Sequence, residues 1–318
     1  MCVIRYHPPI MATHQASIAV IILTFNEEDH VGPAIESVQG WAREIFVVDS
    51  FSTDETVNAA LEYADHGVRV VQHAFENYSS QWNWALTNLP ISADWTLKLD
   101  ADERVPDDFK AEVLDVLQDA DPELAGFYFQ RRMIFMNKAL RFGGNVSYDL
   151  RMWKTGSAQF DGRQINEHAM VDGATHSLKC LVDHHDTKSI TEWWEKHNRY
   201  SSLEALSMID EAQFDVIKPR FLGSPDERMK WLRRMYWGHP FRFLSALGLF
   251  LYHYVLKLGF LDGTRGFQVA FLRATYFYLT DLKLIEYRRT GKRPTVHWPT
   301  RGRPHPTLAK SLDGETDS

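Results

Sequence analysis

A short apolar run ends in three acidic side chains in the stretch Trp95-Thr96-Leu97-Lys98-Leu99-Asp100-Ala101-Asp102-Glu103. Acidic side chains are almost never fully buried without a partner, and neighbouring carboxylates disfavour each other's ionised form unless a cation lies between them. A hard divalent cation that also binds a substrate phosphate would relieve this repulsion. We therefore expect a strand that ends at a metal site formed by Asp100 and Asp102. The alternative is that these acids only cap the helix predicted to begin near Pro106.

Three further strands are predicted before this run. They lie at residues 17–23, 44–49 and 68–72, and helical patterns separate the strands at residues 29–38, 53–64 and 82–89. Strands that alternate with helices across short loops indicate βαβ units and an open, mostly parallel sheet. Ligands bind to such sheets beyond the carboxyl ends of the strands. Because Thr24–Glu27, Asp49–Ser52 and Asp100–Asp102 all fall at such ends, we expect them to form one site.

Composition and missing motifs limit the alternatives. The chain has 318 residues, 44% apolar and 24% charged, which is ordinary for a globular protein. Its two cysteines, Cys2 and Cys180, provide no disulfide framework and favour a reducing compartment, and no secretory signal is visible in the first sixteen residues. Neither Gly-x-Gly-x-x-Gly after the first strand nor Gly-x-x-x-x-Gly-Lys-Ser/Thr occurs. A metal, rather than backbone amides, is therefore expected to balance a diphosphate.

Three ordered motifs resemble those of glycosyltransferase family 2, and they lie at Ala19–Glu28, Val47–Thr56 and Leu99–Glu103. The resemblance covers about residues 17–290 and is strongest to bacterial enzymes of lipopolysaccharide-core and envelope-glycan assembly. It implies an α/β protein with the GT-A fold, in which helices flank an open, mostly parallel twisted sheet. It also implies a nucleotide-diphosphate sugar donor, most simply a UDP-sugar, a divalent Mn²⁺ or Mg²⁺ ion, and inversion at the anomeric carbon.

The resemblance also implies roles for individual side chains. Those expected to bind the nucleotide-sugar are Thr24, Asn26, Glu27, Asp49, Ser52 and Asp100. Within this set, Asp49 is expected at the base and Asp100 near the ribose and the metal, with Asp102 as the main metal ligand. Ser50 departs from the family pattern, since many members have a second aspartate there. Ordinary turn chemistry is the alternative reading of Thr24 and Ser52.

Transfer to a hydroxyl group also needs a general base, because the acceptor loses its proton as the anomeric carbon becomes oxocarbenium-like. The family has an acid at this point of the chain, often beside a histidine, and here the order is Asn166-Glu167-His168. Glu167 is therefore the predicted base, with Asp161 and Asp172 as weaker candidates. A loop glutamate that only bonds its neighbours is the alternative.

The carboxy-terminal third differs in charge from the rest. Between Lys218 and Arg303 there are 17 Lys/Arg and 5 Asp/Glu, a net charge of +12, so the remainder carries −19. This part is also apolar, which favours an anionic membrane surface over nucleic acid as its partner. Residues 243–261 form a mostly apolar run interrupted by His253 and Lys257, so we expect a helix lying in the interface rather than a span. The alternative is that this helix and the next, residues 264–289, pack on the catalytic domain.

The predicted organisation is a disordered start at residues 1–16, a catalytic domain at 17–215, a helical membrane-associating region at 216–290 and a disordered tail at 291–318. We predict a glycosyltransferase that is bound peripherally to the cytoplasmic face of the inner membrane and acts on a lipid-linked or lipopolysaccharide-core acceptor. Two alternatives stay open: transfer to a polyprenyl phosphate, which needs no strong base, and a non-catalytic nucleotide-sugar-binding adaptor at the membrane.

Overall fold

The structure, a computed structural model, describes residues 16–118, 121–144, 146–160, 169–186, 189–213 and 242–308. Its strands are β1 Ala16–Thr24, β2 Ala42–Asp49, β3 Val68–Gln72, β4 Trp95–Asp100, β5 Glu103–Arg104, β6 Leu124–Phe135, β7 Lys138–Ala139, β8 Val146–Lys154, β9 Ala158–Phe160, β10 Ala169–Val171 and β11 Ala174–Asp186. Its α-helices are α1 Glu28–Val38, α2 Thr56–Leu61, α3 Tyr78–Asn88, α4 Asp107–Gln118, α5 Ile190–Gln213, α6 Arg242–Leu251 and α7 Thr264–Thr290.

The described residues divide into two compact units, and the predicted boundary near residue 215 lies outside them. The first unit comprises the described parts of residues 1–130, 148–182 and 301–318, and the second those of residues 131–147 and 183–300. Each unit thus draws on separate segments of the chain, which hydrophobic patterning along the sequence does not reveal.

The first unit is built on the predicted α/β sheet. The strand order is β3-β2-β1-β4-β8-β6-β11-β5, with β7 paired to β6. Strands β1 to β4 pair in parallel, whereas β8 runs antiparallel to β4. Along β1, Ile18, Val20 and Ile22 pack into one core cluster, and Ala19 and Ile21 pack into the cluster on the other face. The continuous apolar pattern of β1 is therefore explained by burial on both faces, as in other parallel sheets.

Strand register places the polar ends of the parallel strands side by side. Thr24 pairs with Asp49, Asp49 pairs with Gln72, and Leu23 pairs with Asp100. Since parallel strands end at the same edge of a sheet, four different parts of the chain meet there. The predicted convergence of the first, second and fourth strand ends is confirmed, and the third strand adds Gln72.

The second unit is mainly helical in its described residues and differs from the predicted single helix over residues 243–261. Helix α6 ends at Leu251, a π-helical turn covers Tyr252–Leu256, Leu258 has a positive φ of 58°, and a 3₁₀ turn covers Gly259–Asp262. Burial of polar groups explains the break. His253 Nδ1 lies 2.7 Å from the carbonyl oxygen of Gly143, so its side chain is directed at another segment of the same unit.

Asp262 holds the end of this broken segment. It is 5% exposed, and its two carboxylate oxygens accept hydrogen bonds from the backbone N–H groups of Arg141 and Phe142. Buried carboxylates need such donors. Within the part of the chain that the structure describes, no helix has the length and apolarity to cross a membrane.

The end of the chain also differs from the predicted disordered tail. Residues 291–300 have no regular secondary structure, but the segment that follows makes specific contacts within the first unit. The backbone N–H of Gly302 donates to the carbonyl oxygen of Phe51 at 2.7 Å. The structure therefore describes an ordered contact where the basic, proline-rich sequence indicated none.

Candidate functional site

Asp49 joins the ends of three strands. Its side chain is fully buried, and it accepts hydrogen bonds from Thr24 Oγ1 at 3.1 Å and from Gln72 Nε2 at 2.8 Å. The backbone N–H of Ser52 donates to the same carboxylate at 3.0 Å, and the Ser52 hydroxyl donates as well. A carboxylate offers about four acceptor positions, so the protein itself occupies them all. In this structure Asp49 organises β1, β2 and β3 at the edge of the site.

The loops after β1 and β2 hold each other through side chain to backbone hydrogen bonds. The N–H of Asn26 donates to Ser52 Oγ at 2.9 Å, and the N–H of Thr53 donates back to Asn26 Oδ1 at 2.8 Å. Asn26 and Phe51 both have positive φ, 55° and 58°. Asparagine tolerates this conformation, whereas for a bulky residue such as phenylalanine it is an outlier. Backbone strain of this kind is typical of functional sites.

Glu27 is held at the start of α1. Its backbone N–H donates to Thr56 Oγ1 at 2.7 Å, and its carboxylate lies 2.8 Å from His30 Nδ1. The predicted nucleotide-binding residues of the first two loops, namely Thr24, Asn26, Glu27, Asp49 and Ser52, are thus brought into one hydrogen-bonded edge.

Arg151 of β8 pairs with two acids at the end of β4. Its guanidinium donates to Asp100 Oδ2 at 2.6 Å and to Glu103 Oε2 at 2.5 Å. Arg151 is 3% exposed and Glu103 is fully buried. Burial lowers the pKa of Arg151, but the charges of Asp100 and Glu103 outweigh it, so that the net effect raises the pKa and keeps the arginine charged. The cation expected between neighbouring carboxylates is, at Asp100 and Glu103, a protein side chain.

Asp102 lies between these two acids in the chain. It is partly buried, as is Asp100, whereas Glu103 is fully buried. Arg104 closes the turn beneath it by donating to the carbonyl oxygens of Ala101 at 2.9 Å and Glu103 at 2.7 Å. Burial lowers the pKa of Arg104, and the charge of Asp102 is the largest effect in the opposite direction.

The other predicted site residues stand as follows. The predicted base, Glu167, lies outside the described residues, as do Asn166 and His168. Within the described ranges, no group of three or more His, Cys, Asp or Glu side chains is arranged to hold a metal ion. Asp100, predicted to share the metal with Asp102, has one carboxylate oxygen bonded to Arg151.

Sequence reasoning missed two residues of this edge. Gln72 ends the third predicted strand, and the rule that ligands gather at strand ends would have included it. Arg151 is a buried charged side chain on β8, and an arginine is almost never fully buried without a partner. That signal was present, but the sequence does not say which acid is the partner.

The sheet and its polar edge define the class of the first unit. It has the GT-A fold predicted from the sequence, with βαβ units building an open, mostly parallel sheet. The family described as Glycosyl transferase family 2 matches residues 19–169. Residues 19–169 therefore carry a glycosyltransferase family 2 domain, and the predicted resemblance is confirmed.

Several known proteins are similar to this chain. The lipopolysaccharide core biosynthesis glycosyltransferase LpsC of Rhizobium meliloti is 27% identical over 285 residues, which are 88% of this chain and 96% of LpsC. An uncharacterized glycosyltransferase of Rickettsia typhi is 26% identical over 210 residues, 62% of this chain and 69% of the relative. Among solved structures, residues 1–349 of TarS from S. aureus give a TM-score of 0.44 at 14% identity, covering 86% of this chain and 92% of that one.

Glucosyl-3-phosphoglycerate synthase from Mycobacterium tuberculosis, solved with Mn²⁺, uridine diphosphate and glucosyl-3-phosphoglycerate, gives a TM-score of 0.30 at 22% identity. That match covers 39% of this chain and 50% of the synthase.

Proposed function

We propose that this glycosyltransferase moves a sugar from a nucleoside diphosphate donor to a hydroxyl group of a lipid-linked or lipopolysaccharide-core acceptor, with inversion in a single displacement. The observation that carries the proposal is the meeting of Thr24, Asp49 and Asp100 at adjacent ends of parallel strands. This is the edge of an open α/β sheet where ligands bind. The similarity to LpsC over most of both chains supports the choice of acceptor.

The order of the strands supports an orientation for the donor. The nucleoside would lie over the ends of β1, β2 and β3, where Thr24, Asn26, Glu27 and Ser52 are held. The diphosphate would lie toward β4, where Asp100 and Asp102 follow the strand. A UDP-sugar is the donor that we propose on the family resemblance.

The residues present fit a divalent metal ion. Asp102 follows β4 and is partly buried, so we propose its carboxylate as the main ligand of Mn²⁺ or Mg²⁺, with Asp100 beside it. One or two carboxylates together with substrate phosphates are the usual ligands of Mg²⁺. When bound, such an ion supplies charge compensation for the departing diphosphate.

The protein's own residues have three tasks in the reaction. The edge formed by Thr24, Asp49 and Ser52 binds and orients the donor, so that its anomeric carbon faces the acceptor. Glu167 takes the proton of the acceptor hydroxyl while the oxygen forms its bond to the anomeric carbon and the bond to the diphosphate oxygen breaks. Both electrons of that bond leave with the nucleoside diphosphate, and the sugar is transferred with inverted configuration.

The test is a thermal-shift screen of the protein against UDP-, GDP-, ADP- and CDP-sugars with and without Mn²⁺, since a ligand that binds only the folded protein raises the melting temperature. We expect a UDP-sugar to stabilise the protein more strongly with Mn²⁺. In a transfer assay with that donor, Asp102→Asn should abolish metal-dependent turnover. Asp107→Asn is the matched control, because Asp107 is an exposed acid that pairs with Lys110. Full activity of Asp102→Asn would refute the metal role.

We also propose that the second unit binds an anionic membrane surface peripherally, at the cytoplasmic face of the inner membrane. Among its described residues, the large apolar side chains that are at least 40% exposed are Leu244, Leu247, Leu251, Tyr252, Val255, Leu256, Leu258, Phe260, Leu261, Phe267, Phe271 and Leu282, besides Met136, Ile190 and Trp298. Ring contacts join Phe267 to Phe271 and to the less exposed Phe250 and Tyr254. Soluble monomers rarely expose a large contiguous apolar patch without a partner.

A further inference from the structure

The last described segment of the chain lies against the proposed nucleoside edge. We call residues 301–305 the tail segment. Arg301 Nη1 donates to the carbonyl oxygen of Ser50 at 2.8 Å, and the N–H of His305 donates to Gln72 Oε1 at 2.6 Å. Gln72 is also the residue whose amide nitrogen donates to Asp49. The tail segment is thus bonded to the same side chain that helps to hold the centre of the site.

The fit between the tail segment and this edge is close. A Cβ atom on Gly302 would lie 2.6 Å from the carbonyl oxygen of Ser52, which real side chains do not tolerate. His305 Nε2 lies 3.0 Å from Asn58 Oδ1, so a second element of the first unit also contacts the segment. Glycine at 302 therefore permits a backbone approach that any other residue would prevent.

Arg301 has donor groups that the described protein atoms do not use. Its guanidinium lies over the rings of Phe25 and Phe75, with its carbon 4.9 Å and 4.8 Å from the ring centroids. An arginine has five N–H donors, and one hydrogen bond, to Ser50, is formed with the described residues. Burial lowers the pKa of Arg301 and the charge of Asp49 raises it. A partly exposed cation with unused donors, fixed by two aromatic rings, is suited to bind an oxygen-bearing ligand.

The position of Arg301 in the sheet indicates which part of a donor it would meet. Its contacts, Phe25, Ser50 and Phe75, follow the ends of β1, β2 and β3. In the strand order, β4 with Asp102 lies on the opposite side of β1 from β2 and β3, and neighbouring strands are about 4.8 Å apart. The guanidinium therefore lies at the ends of β1, β2 and β3, which we propose as the nucleoside site. It does not lie at the end of β4, which the acids proposed for the metal and diphosphate follow.

We propose that Arg301 is a donor-binding residue, which the tail segment brings to the site, and that its free N–H groups bind a carbonyl oxygen of the nucleotide base. This inference rests on the proposed function, because it takes the edge of β1, β2 and β3 as the nucleoside site. It means that the site is completed by residues about 200 positions beyond the last of the family motifs. Uracil offers two carbonyl oxygens, whereas adenine offers none.

The test is calorimetric titration of the full-length protein and its variants with UDP and with UMP in the presence of Mn²⁺. Loss of a hydrogen bond from a charged group should weaken binding about tenfold to a hundredfold in Arg301→Ala. Because the base is common to both ligands, the loss should be similar for UDP and UMP. Arg303→Ala removes an equal charge from an exposed position two residues away, and its affinity should stay within about twofold of wild type.

Four results would overturn the assignment. These are unchanged binding by Arg301→Ala, tighter binding by that variant, a loss confined to UDP, or full recovery by Arg301→Lys. Tighter binding would mean that the tail segment blocks the site, a loss with UDP alone would place the arginine at the diphosphate, and recovery by lysine would show that a point charge suffices. Melting temperatures of all variants check that each is folded. Wild-type protein that binds none of UDP, GDP, ADP and CDP would instead refute the proposed function itself.

Discussion

Replacing Arg151 by methionine tests the account of the acidic turn. The substitution keeps an apolar stem of similar length but removes the cation that lies 2.6 Å from Asp100 and 2.5 Å from Glu103. Glu103 is fully buried, so its carboxylate would lose its compensating cation in a low-dielectric site. Breaking a buried pair by removing one partner costs about 3–5 kcal/mol.

This cost should appear as a large fall in melting temperature. For a folded unit of about 150–250 residues, 1 kcal/mol corresponds to about 2–4 °C, so Arg151→Met should melt about 6–20 °C below wild type at pH 7. Burial without a cation favours the protonated carboxyl. The variant then binds more protons when folded than when unfolded, and its deficit should shrink as the pH falls from 7 to 5.

The measurement is differential scanning calorimetry of both proteins at several pH values, with Lys154→Met as the control for loss of a cation from the same strand. Glu103→Gln in the Arg151→Met background should recover part of the loss, because it removes the uncompensated charge. A fall of less than about 2 °C at pH 7, or a deficit that does not change with pH, would refute the reasoning that the arginine compensates a buried acid.

Three further predictions concern other parts of the chain. Burial raises the pKa of Glu44, but hydrogen bonds from Ser92 and Ala93 lower it by a larger amount. The net effect is a pKa below 4.5. The stability that Glu44 contributes is therefore present above pH 4.5 and is lost as the pH falls through the folded-state pKa. The difference in melting temperature between wild type and Glu44→Gln should shrink from pH 6 to pH 3. A constant difference would contradict this. Glu167→Gln should lower turnover about 100-fold or more while calorimetric donor binding is kept; unchanged turnover would favour an acceptor that is already anionic, such as a polyprenyl phosphate. Leu256→Ser with Phe271→Ser should reduce flotation with anionic liposomes but leave transfer to a soluble acceptor unchanged, and equal flotation of variant and wild type would remove the membrane proposal.

The strand ends were predictable because their physical causes are local. Continuous apolar runs such as 17–23 can be satisfied only by burial on both faces, and the polar residues that follow each run mark where burial stops. The parallel arrangement then follows from the intervening helices, and with it the convergence of Thr24, Asp49 and Asp100. The third predicted strand agrees with β3, Val68–Gln72, at both ends.

The rest depends on contacts between distant parts of the chain. The apolar run at 243–261 predicted one helix, but His253 forms a hydrogen bond with Gly143, 110 residues earlier, and the helix breaks there. The partner of Arg151 lies 51 residues away, and no local pattern identifies it. At the tail, the basic, proline-rich composition indicated disorder, whereas a few hydrogen bonds and the absence of a side chain at Gly302 allow the contact.

The pairing of Arg151 with Asp100 and Glu103 has a consequence for biosynthesis. The first four strands are complete once the ribosome has made about 100 residues, but the cation that lets their acids be buried is on β8, 51 residues later. Until β8 has been synthesised and has joined the sheet, the turn after β4 must keep its acids in water. Any shortened version of the enzyme that ends before residue 148 therefore lacks the arginine that pairs with the acids of this turn. We expect such a version to expose the apolar strand β4 to chaperones rather than to act as a minimal donor-binding module.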